Sequence, residues 1–143
     1  MSIKTWKLEF YPAPASVARR LGANGVEGPF MRHPADATRH CLRKWEGLTP
    51  ENLSKHGLVT HGPEIYAEED TFVDAPLFHL GGRDCALCQM HSYSGSDPCG
   101  RCPITKSRDG VSCDAEWEHF VIHADPQPML DLLQSTLEYL TKE

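Results

Sequence analysis

The sequence has no apolar run near the roughly 18 residues that a membrane-spanning helix needs, so we expect no contact with a membrane. Its first seven residues lack the apolar centre of a secretory signal peptide, which predicts a cytoplasmic protein. Internal repeats and low-complexity tracts are also absent, and 40% hydrophobic residues among 143 are enough for a packed core. We therefore expect a single domain over residues 1–143.

Motifs of the common enzyme classes are missing as well. The chain contains no H-E-x-x-H zinc motif, no G-x-S-x-G elbow and no glycine-rich phosphate loop. Pro98–Cys102 matches the P-C-x-x-C half of the zinc-deaminase signature, but no His-x-Glu or Cys-x-Glu precedes it. A Cys–His catalytic pair stays open, because such partners meet only in the fold. The absences favour a non-enzymatic protein.

Positive charge is scarce in the second part of the chain. The net charge is −6, with +4 over residues 1–60 and −10 over residues 61–143. An acidic chain lacks the broad positive field of a general nucleic-acid coat. Arg39, Arg43 and Lys44 lie close together in the basic part, which is typical of a solvated helix face. The same residues are the surface that we expect a protein partner to contact. The acidic stretch 64–74 is the alternative contact surface.

Hydrophobic periodicity and turn residues predict an α+β fold. Period-two alternation or apolar runs indicate strands at 2–10, 58–61, 71–80 and Trp117–Ala124. Apolar residues three and four positions apart, with capping residues, indicate helices at Pro34–Leu48, from Thr49 to Gly57, and from Asp125 onward. The last helix is expected to pack through Met129, Leu130, Leu133, Leu137 and Leu140.

Cysteine is the residue type whose placement is most informative. Cys41 falls on the apolar side of a predicted helix and is expected to be buried. The other five cysteines follow the pattern C-x2-C-x10-C-x2-C-x10-C, at Cys85, Cys88, Cys99, Cys102 and Cys113. Two residues between cysteines let both thiolates of a turn bind one tetrahedral ion. The pattern predicts a zinc-binding, zinc ribbon-like segment over 83–114 whose metal takes the place of a core.

Five thiolates exceed the four that one zinc ion requires. The two C-x2-C pairs are the favoured set, with Cys113 either replacing one member or standing beside the site. A second ion completed by His91, His119 or His123 is the other arrangement. An iron–sulfur cluster and disulfides or free thiols remain alternative uses of the same cysteines.

Two further functions compete with a zinc-stabilised interaction module. One is nucleic-acid binding, with Tyr93 for base stacking and four cations for phosphates, namely Arg83, Arg101, Lys106 and Arg108. The other is an iron–sulfur redox protein or another enzyme.

Several short stretches together resemble a family of small uncharacterised proteins of bacteria and their phages or plasmids. The resemblance rests on Glu9-Phe10-Tyr11-Pro12, on residues 42–48 (LRKWEGL) with Glu51-Asn52-Leu53 and His56-Gly57, and on the CxxC…CxxCP…C pattern from Cys85 to Cys113. It implies a five-cysteine metal segment and a mobile-element setting, and it carries over no catalytic residue. Small proteins of that setting often bind a host protein as inhibitors or adaptors.

Overall fold

A computed structural model describes residues 2–11, 34–69, 75–80, 87, 102–108 and 110–142. Its elements in chain order are α1 (Ile3–Phe10), α2 (Pro34–Glu46), α3 (Pro50–Lys55), β1 (Leu58–His61), β2 (Glu64–Ala67), β3 (Phe78–His79), α4 (Pro103–Ser107), α5 (Asp114–His123) and α6 (Gln127–Thr141). Within these ranges, none of the helices combines the length and apolarity of a membrane span. Six helices with a three-stranded antiparallel sheet confirm the α+β class for the described residues.

The N-terminal segment forms helix α1, and the strand predicted there is wrong. Trp6, Leu8 and Phe10 alternate, but Trp6 and Phe10 are also four residues apart and so share one side of a helix. Both aromatic residues are buried, whereas Leu8 is 65% exposed. A capping box starts the helix: the Ser2 hydroxyl accepts the Thr5 N–H at 3.3 Å, and the Thr5 hydroxyl accepts the Ser2 N–H at 2.9 Å.

Helices α2 and α3 confirm the sequence-based prediction. The Thr49 hydroxyl caps α3 by accepting the Asn52 N–H at 3.3 Å, and Pro50 occupies the first helical position. Gly57 follows the helix with a left-handed φ of 68°, which glycine adopts without strain. The short connection then turns the chain directly into β1.

The sheet is a hairpin with one added strand. β1 and β2 pair antiparallel from Leu58↔Ala67 to His61↔Glu64 around a Gly62-Pro63 turn. β3 lies on the other side of β2, with Ile65 opposite Phe78. The strand expected over 71–80 is observed only at Phe78–His79 within residues 75–80.

Helix α5 replaces the strand predicted at Trp117–Ala124. Asp114 and Glu116 lie in its first turn, where carboxylates stabilise the positive end of the helix dipole. Phe120 is its buried residue, whereas Ile122 is 66% exposed. The apolar run therefore covers several sides of a helix, and Ala124 ends the helix in a left-handed conformation with φ 55°.

A single cluster of buried residues joins the elements. α6 packs against α2, α4 and α5, while α1 contacts α2. The cluster extends from Trp6 on α1 through Cys41 and Trp45 on α2 to Leu133 on α6. On α6, Met129 and Leu133 are buried as predicted, and Leu130 packs against the core. The other buried residues of this helix are Leu132 and Thr136 instead of Leu137 and Leu140.

Candidate functional site

Two of the five predicted zinc ligands, Cys102 and Cys113, belong to the described residues. Cys85, Cys88 and Cys99 lie outside them. Within the described ranges, no three His, Cys, Asp or Glu side chains form a group that could hold a metal ion. A centre built on the predicted pattern therefore needs thiolates from residues 85–99.

Cys102 and Cys113 each stand directly before a helix. Cys102 is the N-cap residue of α4 and precedes Pro103, which occupies the first helical position. Cys113 is the N-cap residue of α5. Both side chains are partly buried and pack against the core cluster. Of the residues between them, 103–107 form α4, and residues 108 and 110–112 belong to the connection from α4 to α5.

Arg108 fixes the turn between these helices. Its guanidinium donates to both carboxylate oxygens of Glu116, at 2.8 and 3.1 Å. It also donates to the carbonyl oxygens of Val111, at 3.3 Å, and Ser112. Burial raises the pKa of Glu116, but the side-chain hydrogen bond with Arg108, a backbone hydrogen bond and the charge of Arg108 together outweigh burial and lower that pKa. Arg108 thus makes hydrogen bonds within the fold, whereas the nucleic-acid alternative requires its guanidinium to contact a phosphate.

The residues around the first C-x2-C pair are tied to the same core. Leu87 stands between Cys85 and Cys88 in the sequence and is fully buried in the core cluster. Trp117, one turn after Cys113, donates its indole N–H to the Leu80 carbonyl at 3.0 Å. Leu80 therefore lies beside α5, and Leu87 lies in the core.

The predicted basic interaction residues do not form one exposed patch. Lys44 is only 2% exposed, so its ammonium is not available to a partner at the surface. Arg43 donates from Nε to the Glu9 carbonyl at 3.0 Å, and its guanidinium lies 4.9 Å from the centre of the Phe10 ring. It therefore holds the end of α1. Arg39 is exposed on α2.

A polar cluster that the sequence analysis missed links α1 to α3. The His56 ring lies between two side chains of α1, with Nδ1 2.9 Å from the Thr5 hydroxyl and Nε2 2.7 Å from Glu9 Oε1. Lys55 donates to the other Glu9 oxygen at 3.0 Å. The hydrogen bonds from Lys55 and His56 lower the pKa of Glu9. Recognising α1 as a helix would have placed Thr5 and Glu9, four residues apart, on one face.

The order hydroxyl, imidazole, carboxylate in this cluster is that of a nucleophile and its base, but the same hydroxyl also serves the cap of α1. Thr5 Oγ1 lies 2.9 Å from the Ser2 carbonyl oxygen and accepts the Ser2 N–H at 2.9 Å. Its single proton thus has two acceptors within reach, the Ser2 carbonyl and His56 Nδ1, whereas an activated nucleophile donates to its base alone. The His56 ring also packs edge-on against Phe10, with centroids 5.9 Å apart. These contacts dock α1 on α3.

Part of the acidic stretch 64–74, predicted as a possible contact surface, belongs to the sheet. Residues 64–67 form strand β2, and Glu68 and Glu69 after it are exposed.

Comparison of the chain with protein-family models, with curated proteins and with solved structures finds no match. The site is therefore interpreted from its own residues.

Proposed function

We propose that this chain is a non-enzymatic, zinc-stabilised protein-interaction module whose metal is structural. The observation that carries the proposal is the common attachment of the cysteine segment to one core. Leu87 within the first C-x2-C pair, Cys102 and Cys113 all belong to that core or pack against it. Cysteines at zinc-ligand spacing, held against one cluster, suit a metal that replaces missing apolar contacts.

The donor set fits zinc by its chemistry. Four thiolates satisfy a tetrahedral ion and leave no position for a reacting water, which is the composition of a structural site. The two C-x2-C pairs supply these four in the favoured arrangement. Cys113, at the start of α5, replaces one of them or lies beside the ion.

Metal and thiol analysis of freshly purified protein tests the proposal. We expect one zinc per chain and cysteines that react with a thiol reagent only after a chelator is added. Cys41 stays protected by burial, being 2% exposed. Iron with sulfide would replace zinc by a redox cluster, and metal-free protein with oxidised thiols would overturn the metal site altogether.

Cys41 provides a matched control for substitution. Cys102→Ser removes one proposed ligand and is expected to lose the zinc. Cys41→Ala removes one thiol outside the pattern and is expected to keep it. Equal zinc content in the two variants would contradict the proposed ligand set.

A protein partner is proposed at the exposed side of α2 around Arg39. A protein partner agrees with the resemblance to small phage- or plasmid-borne proteins, which often bind host proteins. Arg39→Glu tests it and leaves in place Arg43, which contacts α1 through the Glu9 carbonyl and the Phe10 ring. A partner bound equally by the variant would remove α2 from the proposed surface and leave the exposed acids Glu68 and Glu69.

A further inference from the structure

We propose that His119 and His123 form a surface chelate for a divalent transition-metal ion such as Zn²⁺ or Ni²⁺. The two histidines are four residues apart on α5, and their ring centroids are 4.7 Å apart at an interplanar angle of 45°. Side chains at this spacing share one face of a helix. Paired imidazoles four residues apart are a recurrent ligand arrangement for such ions.

The chelate lies where an ion from solution reaches it. The His119 side chain is 38% exposed and His123 is exposed. Between them in the sequence, Phe120 is only 1% exposed and anchors α5 in the core. The helix therefore presents the two rings on a fixed support, and water completes the coordination of the ion.

Asp125 orients one of the two rings. The left-handed residue Ala124 turns the chain after α5, and Asp125 Oδ2 then lies 3.2 Å from His119 Nε2. Asp125 Oδ1 accepts the Gln127 N–H at 3.1 Å, which fixes the carboxylate. An ionised carboxylate only accepts, so His119 Nε2 donates this hydrogen bond and Nδ1 is the nitrogen that would bind the ion. A carboxylate behind the histidine is the usual support of a metal-binding imidazole.

The chelate lies toward the opposite end of α5 from Cys113. Cys113 precedes the first residue of the helix, and ten residues of helix place His123 about 15 Å farther along its axis. This distance exceeds what a thiolate and an imidazole bridge through one ion with bonds of about 2.0–2.3 Å. Cys113 and His123 therefore do not share an ion.

Nickel titration of the full-length protein, with its resident metal measured beforehand, tests the proposal. We expect calorimetry to detect one Ni²⁺ site and paramagnetic Ni²⁺ to broaden the ring signals of His119 and His123 first. His119→Gln or His123→Gln is expected to weaken binding at least about tenfold, because one of two linked donors is lost. Asp125→Asn keeps an acceptor without its charge and is expected to weaken binding by about tenfold.

Two controls separate the chelate from other histidines and from the thiols. His79→Gln alters an exposed histidine on β3 and is expected to leave the isotherm unchanged. Cys102→Ser is expected to lose zinc and to retain the Ni²⁺ site. Absence of Ni²⁺ binding or an unchanged isotherm in both α5 variants would overturn the chelate. Loss of binding only in Cys102→Ser would also overturn it and would locate nickel at the thiols, whereas loss only in His79→Gln would overturn it and locate nickel at β3.

Discussion

Helix α1 and the helices that follow the cysteines are attached to the same core by different kinds of contact. α1 buries Trp6 and Phe10 and adds directional bonds, including the Trp6 indole N–H to the Gly47 carbonyl at 2.8 Å. α4 buries Ile104 and α5 buries Phe120, and the Arg108–Glu116 pair that joins the two helices is partly exposed. A segment whose joining contacts are polar and partly exposed opens more easily unless something else orders it. The need for a metal is therefore expected at the cysteine end and not under α1.

α1 packs closely against β3 and against Gly47, the residue after α2, so no metal is needed to hold α1 in place. Trp6 packs edge-on against Phe78 with centroids 5.5 Å apart. A Cβ atom on Gly47 would lie 2.5 Å from Phe10, so this position requires glycine. Shape complementarity of this kind makes the N-terminal contact depend on volume more than on charge.

Metal removal is expected to have the largest effect, and to affect only one of the two regions. A structural zinc ion contributes on the order of 10 kcal/mol to the fold that binds it. Addition of a chelator should speed amide exchange strongly in α4 and the first turn of α5, while the buried amides of α1 keep their protection. If exchange rises equally in both regions, then α1 and the helices after the cysteines depend on one another, and the contrast drawn between them is wrong.

Truncation of Trp6 is expected to have the next largest effect. Trp6→Ala should lower the free energy of unfolding by about 3–5 kcal/mol, because the side chain is fully buried. Trp6→Phe keeps most of the ring volume and removes the donor to Gly47, so it should cost less. Urea unfolding measures both variants. A loss below about 1 kcal/mol for Trp6→Ala would mean that α1 contributes little to the fold.

The sequence predicts a helix correctly where the capping residues and the apolar periodicity agree. α2, α3 and the last helix were predicted because Thr49, Pro50 and Gly57 mark boundaries and the apolar spacing is helical. α1 and α5 were mistaken for strands because a short apolar run fits both periods. In α1 the decisive signal was the pair Ser2 and Thr5, whose side chains cap a helix and have no such use in a strand.

The polar contacts between elements could not be predicted from the sequence, because they depend on how the helices are assigned and packed. His56 meets Glu9 across 47 residues of sequence, and Arg108 meets Glu116 only because a turn brings α4 and α5 together. The pair His119 and His123 becomes visible as a chelate only when α5 is a helix, since in a strand residues four apart do not converge on an ion. When a helix is mistaken for a strand, the side chains that share a helix face are not recognised as neighbours, and the sites that they form are missed.

Acid titration is expected to have the smallest effect on stability, and it distinguishes the contacts of α1 most sharply from those of α5. The pKa values of Glu9 and Glu116 both lie below the ordinary 4.5. A carboxyl with a lowered folded-state pKa stabilises the fold above its unfolded pKa, and this contribution is lost as the pH falls through the folded value. Stability should therefore decrease below about pH 4.5, and Glu9→Gln or Glu116→Gln should each reduce that decrease.

The location of the response distinguishes the two carboxyls. In acid, protonation of Glu9 weakens its bonds with Lys55 and His56, so amide exchange should rise first in α1. Protonation of Glu116 weakens the Arg108 bridge, so exchange should rise in α5 and the turn before it. Glu9→Gln should then remove the acid response of α1 alone, with Glu116→Gln as its matched counterpart. An acid response of α1 that persists in Glu9→Gln would mean that the aromatic contacts, and not the polar cluster, limit the docking of this helix.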